Sequence, residues 1–135
     1  MKHSISKFGM FLLLCFILFG CNANINYKLA INILDSSANF IENDTSEFEF
    51  SSILIDTSTS EIFTILNTGS ADLKLKGNPK VAISGTGEIA FTVTEQPKTV
   101  IKPSDTTTFT IEFAPTIAQN FEATVTIISN VNEIT

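Results

Sequence analysis

Residues 106–115 read Thr-Thr-Thr-Phe-Thr-Ile-Glu-Phe-Ala-Pro, and this stretch decides the fold. Its large apolar residues, Phe109, Ile111 and Phe113, occupy every second position and alternate with Thr or Glu, which is the period of a strand with one buried face. The intervening threonines are good strand formers and fit its exposed side. Pro115 ends the run because proline has no N–H to give to a sheet. The stretch therefore predicts one long, half-buried strand.

Shorter runs with the same period occupy the chain on both sides of this strand, and turn residues such as Asn67-Thr68-Gly69 separate them. No stretch holds a 3.6-residue apolar period long enough for a substantial helix. The pattern predicts an all-β protein, an antiparallel β-sandwich of about seven strands. The other runs are Phe48–Phe50, Ile53–Ile55, Ile62–Leu66, Leu73–Leu75, Val81–Ile83, Ala90–Thr94 and Phe121–Ile127.

Composition excludes several classes of function. The chain has 135 residues, which fits one domain, and its formal charge is −6. Beyond residue 20 there are 6 Lys against 14 Asp and Glu, no Arg, no His and no Cys other than Cys21. We therefore expect no nucleic-acid partner, no Cys/His metal site, no Ser-His or Cys-His catalytic pair and no cofactor.

The first twenty residues predict a secretory signal peptide. Lys2, His3 and Lys7 form a positive start, and Phe8–Phe19 is apolar apart from Gly9. Twelve helical residues would extend about 18 Å, which is short of a ~30 Å hydrocarbon core. A signal peptide over residues 1–20 is the better interpretation than a transmembrane span.

Leu18-Phe19-Gly20-Cys21 ends this segment and resembles the lipobox of bacterial lipoproteins. The resemblance implies cleavage between Gly20 and Cys21 and acyl chains such as palmitate on the Cys21 thiol. Phe19 departs from the usual small or β-branched residue at that position. Two alternatives stay open: an ordinary signal peptide with a chance cysteine, and an uncleaved N-terminal anchor. The lipobox predicts a lipid-anchored protein of the bacterial cell envelope, at the outer membrane or the cell surface.

Residues 21–46 are rich in Asn, Ser and Asp, which is the composition of a linker. We assign 21–46 to a tether and 47–135 to the sandwich. One apolar stretch, Tyr27–Leu34, interrupts the tether and is either a strand or part of a weakly ordered stalk.

Four short motifs follow one another in the sandwich: Phe63-Thr64-Ile65-Leu66-Asn67-Thr68-Gly69, Val81-Ala82-Ile83-Ser84-Gly85, Phe91-Thr92-Val93, and Ile101-Lys102-Pro103 followed by Phe109-Thr110-Ile111-Glu112-Phe113-Ala114-Pro115. Their order and spacing resemble the bacterial choice-of-anchor D domain, which is similar to the immunoglobulin-like domain of abnormal-spindle and hydin proteins. That family usually adds a closing strand after the position of Asn130, and this sequence has no matching run. Either the domain lacks its last strand, or Tyr27–Leu34 replaces it, or a partner protein supplies it, or the reading frame is truncated.

Two further groups of side chains could form sites. Carboxylates cluster at Glu42, Asp44, Glu47 and Glu49, and oxygen-rich clusters suit Ca²⁺, but no EF-hand spacing is present, so a solvated acidic linker is the interpretation. Lys74, Lys76 and Lys80 form a basic stripe that fits a soluble strand edge better than a binding site for anionic lipid.

The sequence thus leaves two classes of function, and a third, a small lipid-anchored hydrolase that uses carboxylates, has no positive support in the residues. The first is a non-catalytic, membrane-tethered sandwich that offers a surface to a protein partner. The second is an assembly component whose incomplete sandwich accepts a strand from another protein.

Overall fold

The computed structural model describes residues 3–9, 31–41 and 47–132, and it builds them almost entirely from strands. The strands are β1 (His3–Gly9), β2 (Ile31–Leu34), β3 (Phe40–Ile41), β4 (Glu47–Phe50), β5 (Thr59–Asn67), β6 (Leu73–Lys74), β7 (Val81–Ser84), β8 (Phe91–Glu95), β9 (Val100–Ile101), β10 (Thr106–Phe113) and β11 (Glu122–Ile127). Two single turns of 3-10 helix lie at Glu88–Ala90 and Asn130–Asn132. No helix among the described residues combines the length and the apolar character that a membrane crossing needs.

The strands form two main sheets. The five-stranded sheet has the order β3-β2-β5-β10-β8, and all its neighbours are antiparallel. The four-stranded sheet has the order β4-β1-β11-β7, in which β1 runs antiparallel to β4 and parallel to β11. A short antiparallel pair, β6 and β9, lies beside them. The predicted all-β antiparallel sandwich is confirmed.

The long pair of β5 and β10 shows why the alternating sequence folds as it does. Eight consecutive residue pairs join the two strands, and Phe109 lies opposite Phe63. Both rings are fully buried and stack with centroids 5.2 Å apart. On the other face of β10, Thr106 and Thr108 are exposed, as the period of two requires.

Phenylalanine rings join the two sheets. Phe113 of the five-stranded sheet lies 5.8 Å from Phe50 of the four-stranded sheet, measured between ring centroids, and 4.9 Å from Phe91. Phe48 of β4 meets Phe63 of β5 edge to face at 5.1 Å. A fully buried Phe contributes roughly 1.5–3 kcal/mol, so these rings account for much of the cohesion between the layers.

The sandwich begins before Glu47. Ile31 and Ile33, buried on alternate positions of β2, face the core, and β2 pairs with β5. The segment assigned to the tether therefore contains β2 and β3, because the alternation of Ile31 and Ile33 is enough to cover the edge of β5. This strand lies in the five-stranded sheet, away from β11, so Ile31–Leu34 does not replace a closing strand next to β11.

One glycine fixes the loop between β7 and β8 against β11. The N–H of Gly87 donates to the carbonyl oxygen of Glu122 at 2.9 Å, at the start of β11. A Cβ at position 87 would lie 2.5 Å from that oxygen, so the close approach requires glycine. Gly85 nearby has a φ of 115°, which also favours glycine.

Candidate interaction site

The predicted lipidation residue Cys21 and the cleavage position Gly20 lie outside the described residues. So do Glu42 and Asp44 of the acidic cluster. The cleavage after Gly20 and the lipid on Cys21 therefore stay predictions.

The described part of the acidic cluster does not converge on one point. Glu47 and Glu49 are exposed on β4, on the same face of the strand. Asn39, which precedes β3, instead donates hydrogen bonds to Asp35 from its side chain (3.0 Å) and its backbone (2.9 Å). These bonds lower the pKa of Asp35, with the Asn39 side chain as the main cause. Among the residues that the structure describes, no group of three or more His, Cys, Asp and Glu side chains is placed to hold a metal ion.

The three lysines of the predicted basic stripe do not share one strand. Lys74 belongs to β6, Lys76 follows it, and Lys80 lies just before β7. Lys74 and Lys76 are exposed. The backbone N–H of Lys74 donates to the side chain of Asn130 at 2.7 Å, and Asn130 in turn donates to the carbonyl of Asp72 at 3.0 Å. The side chain of Asn130 thus holds the backbone of residues 72–74 in place. The sequence pattern did not predict this role of Asn130.

The side chain of Asn67 has a structural role, because its hydrogen bonds hold the predicted turn in place. Its side chain is fully buried, and its amide Nδ2 donates to the carbonyls of Ala71 (2.8 Å) and Ile101 (2.9 Å). Its Oδ1 accepts from the N–H of Gly69 at 2.9 Å. The predicted turn is present, but the role of Asn67 is to tie it to Ile101 at the end of β9.

The position between β4 and β11 is the most informative feature for binding, and we call it the strand slot. In this structure the slot holds β1, the segment His3–Gly9. The register places Ile5 opposite Phe48 on one side and opposite Ala123 on the other. The pairing with β11 shifts between Ile5 and Phe8, and Phe8 then lies opposite Val125.

The two walls of the slot have an apolar inner face and an acidic outer face. Phe50, Ala123 and Val125 are buried on the inner face, where Phe48 is partly buried. On the outer face the walls carry exposed Glu47, Glu49 and Glu122, with Thr124 and Thr126 half-buried beside them. The serines of β1, Ser4 and Ser6, occupy the register positions opposite these carboxylates.

One end of the sandwich has a concentration of exposed aliphatic side chains. They are Leu54 (78 % exposed), Ile55 (50 %), Ile89 (85 %) and Ile117 (55 %), and we call this surface the apolar end. Backbone hydrogen bonds join its three loops, from Asp56 to Pro115 (2.9 Å) and from Ala114 to Ala90 (2.8 Å). Clusters of exposed apolar side chains are typical of interaction surfaces.

The apolar end lies opposite the point where the chain enters the sandwich. β5 runs from Thr59 at the apolar end to Asn67 at the other end, and Ile31 pairs with Asn67. The chain that precedes β2 therefore joins the sandwich at the end remote from the exposed aliphatic side chains.

Comparison with known protein families gives a match to a family of domains. A family model described as HYDIN/CFA65/VesB-like, Ig-like domain, matches residues 39–135, which is well over half of the chain. The match includes the strands from β3 to β11. The comparisons with curated proteins and with solved structures gave no match.

Proposed function

Because the chain belongs to the HYDIN/CFA65/VesB-like family of Ig-like domains, we propose that it is a lipid-anchored protein of the bacterial cell envelope whose β-sandwich offers a surface for binding or structural interaction. The choice-of-anchor D resemblance of residues 47–130 and the lipobox at Leu18–Cys21 support this proposal. Two or three acyl chains at about 0.8 kcal/mol per buried methylene would hold the protein on a membrane permanently. The location is the outer membrane or the cell surface.

The observation that carries the proposal is the position of the apolar end. An anchor at Cys21 would attach the sandwich through the chain that enters β2 at Ile31. The aliphatic side chains of Leu54, Ile89 and Ile117 would then be directed away from the anchored membrane, where a protein partner can cover them. Their burial in such a partner contributes apolar area to binding.

The proposed role is non-catalytic. From residue 21 onward the sequence has no His and no Arg, and its one thiol, that of Cys21, is assigned to the lipid. The described carboxylates near the slot, Glu47, Glu49 and Glu122, are exposed to solvent. A binding or structural surface explains these features with fewer assumptions than an active site.

The anchor is tested by metabolic labelling of producing cells with a palmitate analogue. We expect label on the wild-type protein and loss of that label in Cys21→Ala. Cys15→Ala is the matched control, because it removes the other cysteine and should keep the label. Label that persists in Cys21→Ala would contradict the proposal.

A second candidate function is favoured by a separate observation. The four-stranded sheet takes its second strand from the very start of the chain, and this strand belongs to the segment that the lipobox predicts to be removed. Removal of that segment would leave the four-stranded sheet without its second strand. An assembly component whose sandwich accepts a strand from a partner protein would have such a vacant position.

A further inference from the structure

We propose that removal of residues 1–20 turns the strand slot between β4 and β11 into a binding site for an extended segment of a second protein. The bound segment runs parallel to β11, with apolar residues on its inward positions and basic or hydroxyl residues on its outward positions. This inference deepens the second candidate function and rests on the cleavage at Cys21 included in the proposed function.

The backbone geometry leaves room for one strand. β1 pairs with β4 over four residues, His3 to Ser6, and with β11 at positions from Ser4 to Gly9. Neighbouring strands lie about 4.8 Å apart, so removal of β1 leaves a gap of about 9.6 Å between β4 and β11. The N–H and C=O groups that faced β1 on both walls lose their partners, and such a double edge pairs readily with another strand.

Contacts with the other sheet oppose closure of the gap. Phe48 packs edge to face on Phe63, and Phe50 lies 5.7 Å from Phe91 and 5.8 Å from Phe113. A shift of β4 by a whole strand spacing would break these ring contacts. β11 is held on its other side by four residue pairs with β7. The walls therefore stay in place while the slot is open.

The inner face of the slot selects apolar residues. Phe50, Ala123 and Val125 are buried in the full chain and would meet water without β1. The register calls for an apolar residue opposite Ala123 and another opposite Val125, which are the positions of Ile5 and Phe8. The irregular pairing between these two positions places them three residues apart, so a segment with the pattern apolar-x-x-apolar fits.

The outer face of the slot selects positive charge. Glu47, Glu49 and Glu122 are exposed there, and the chain from residue 21 carries 6 Lys against 14 acidic residues. A second copy of this chain and an anionic lipid surface are both negatively charged and are disfavoured for that reason. A basic segment of another protein is attracted by the same field.

Hydrogen exchange on the protein recovered from membranes in detergent tests the proposal. The probe is a synthetic peptide with the sequence of residues 1–10, and the control peptide carries Ile5→Pro, because proline removes an N–H and disturbs the strand. In the protein alone we expect fast exchange for the amides of β11 that face away from β7, and for those of β4. The wild-type peptide should slow these amides by about tenfold or more, and the proline peptide should leave them fast.

Charge reversal provides a second readout. Glu49→Lys and Glu122→Lys should each weaken peptide binding about two- to fivefold, as expected for exposed charge pairs. Glu95→Lys on β8 of the other sheet is the matched control and should leave the affinity unchanged.

Three results would overturn the proposal: slow exchange of the β4 and β11 amides without peptide, equal protection by the two peptides, or a dimer whose slot amides are already protected by a second copy.

The mass of the recovered protein, measured first, separates the failure of the strand slot from the failure of the lipid-anchored function. A chain that starts at Cys21 and leaves the peptide unbound overturns the slot alone. A chain that keeps residues 3–9 overturns the lipid-anchored function as well.

Discussion

At the scale of single residues, polar side chains such as Asn67 and Gln96 hold loops and strand ends in place through hydrogen bonds to the backbone. The amide of Asn67 bonds the carbonyls of Ala71 and Ile101 and the N–H of Gly69, and the side chain is 0 % exposed. The side-chain amide of Gln96 also bonds backbone groups: it donates to the carbonyl of Val81 and accepts from the N–H of Val81. Each side chain satisfies backbone groups that would otherwise lie unpaired near the core.

Asn67→Ala should lower the free energy of unfolding by about 2–4 kcal/mol, because one buried and two part-buried backbone groups lose their partner. Thr68→Ala, at the exposed neighbouring position, should change it by less than about 0.5 kcal/mol. Urea denaturation of the two variants measures the difference. Equal midpoints for both would show that Asn67 does not hold the turn.

Asp35 should titrate below the ordinary range of an aspartate. Hydrogen bonds from the Asn39 side chain and from the backbone N–H groups of Asn39 and Ser37 favour its charged form and lower its pKa. A lowered pKa gives stability that is present above the unfolded value of about 3.9 and is lost as the pH falls through the folded value. An NMR titration should show this, and Asn39→Ala should raise the pKa of Asp35. An unchanged pKa in that variant would contradict the assignment.

The sequence predicted the turn at Asn67 but not the hydrogen bonds from the Asn67 side chain that hold the turn in place. Asn and Gly in consecutive positions indicate a turn by local chemistry alone. The bond to Ile101 joins residues 34 positions apart, and no local pattern encodes that distance. Gln96 and Asn130 were missed for the same reason.

At the scale of elements, β10 connects the parts of the core. It pairs with β5 on one side and β8 on the other, and its last residue, Phe113, meets rings from three other segments. The ring of Phe113 lies 5.8 Å from Phe50, 4.9 Å from Phe91 and 5.9 Å from Phe121. One side chain thus links both sheets.

Phe113→Ala should destabilise the protein by about 3–5 kcal/mol, since it removes a fully buried ring and leaves a cavity. Phe40→Ala is the matched control, because Phe40 is 63 % exposed on β3 and should cost under about 1 kcal/mol. Thermal or denaturant unfolding of both variants tests this. Similar losses for both would contradict the described core.

The elements could be predicted where the apolar period was strict. β5, β10 and β11 follow the predicted runs closely, because their inward residues are large and their outward residues polar. β2 and β3 lay in a segment whose Asn and Ser content indicated a tether, and burial of Ile31 and Ile33 against β5 outweighed that composition. The partner strands of β1 could not be predicted. Residues 3–9 and 122–127 are far apart in the sequence, and only the fold brings the two strands together.

At the scale of the whole molecule, the apolar end and the strand slot are separate surfaces. The slot begins near the apolar end, where Phe50 lies opposite His3 and Glu122 opposite Ser4, and it extends along the four-stranded sheet. The apolar end consists of loops, whose side chains can be changed without touching the core. The two surfaces can therefore be tested independently.

The double variant Ile89→Ser with Ile117→Ser should keep its stability within about 0.5 kcal/mol per site, because both side chains are exposed. On membranes, the double variant should no longer form the cross-link that the wild-type chain forms with a partner protein. Ile62→Ser, at a residue 52 % exposed on the outer face of β5, is the matched control and should keep that cross-link. Identical cross-links from all three proteins would rule out the apolar end as the binding surface.

The intact mass of the protein extracted from membranes tests the central claim, a sandwich anchored by lipid whose first strand has been removed. We predict a chain that begins at Cys21 and carries the added mass of a diacylglyceryl group, with Cys21→Ala showing neither the cleavage nor the lipid. A chain that still includes residues 3–9, or one that is cleaved elsewhere without lipid, would contradict the account.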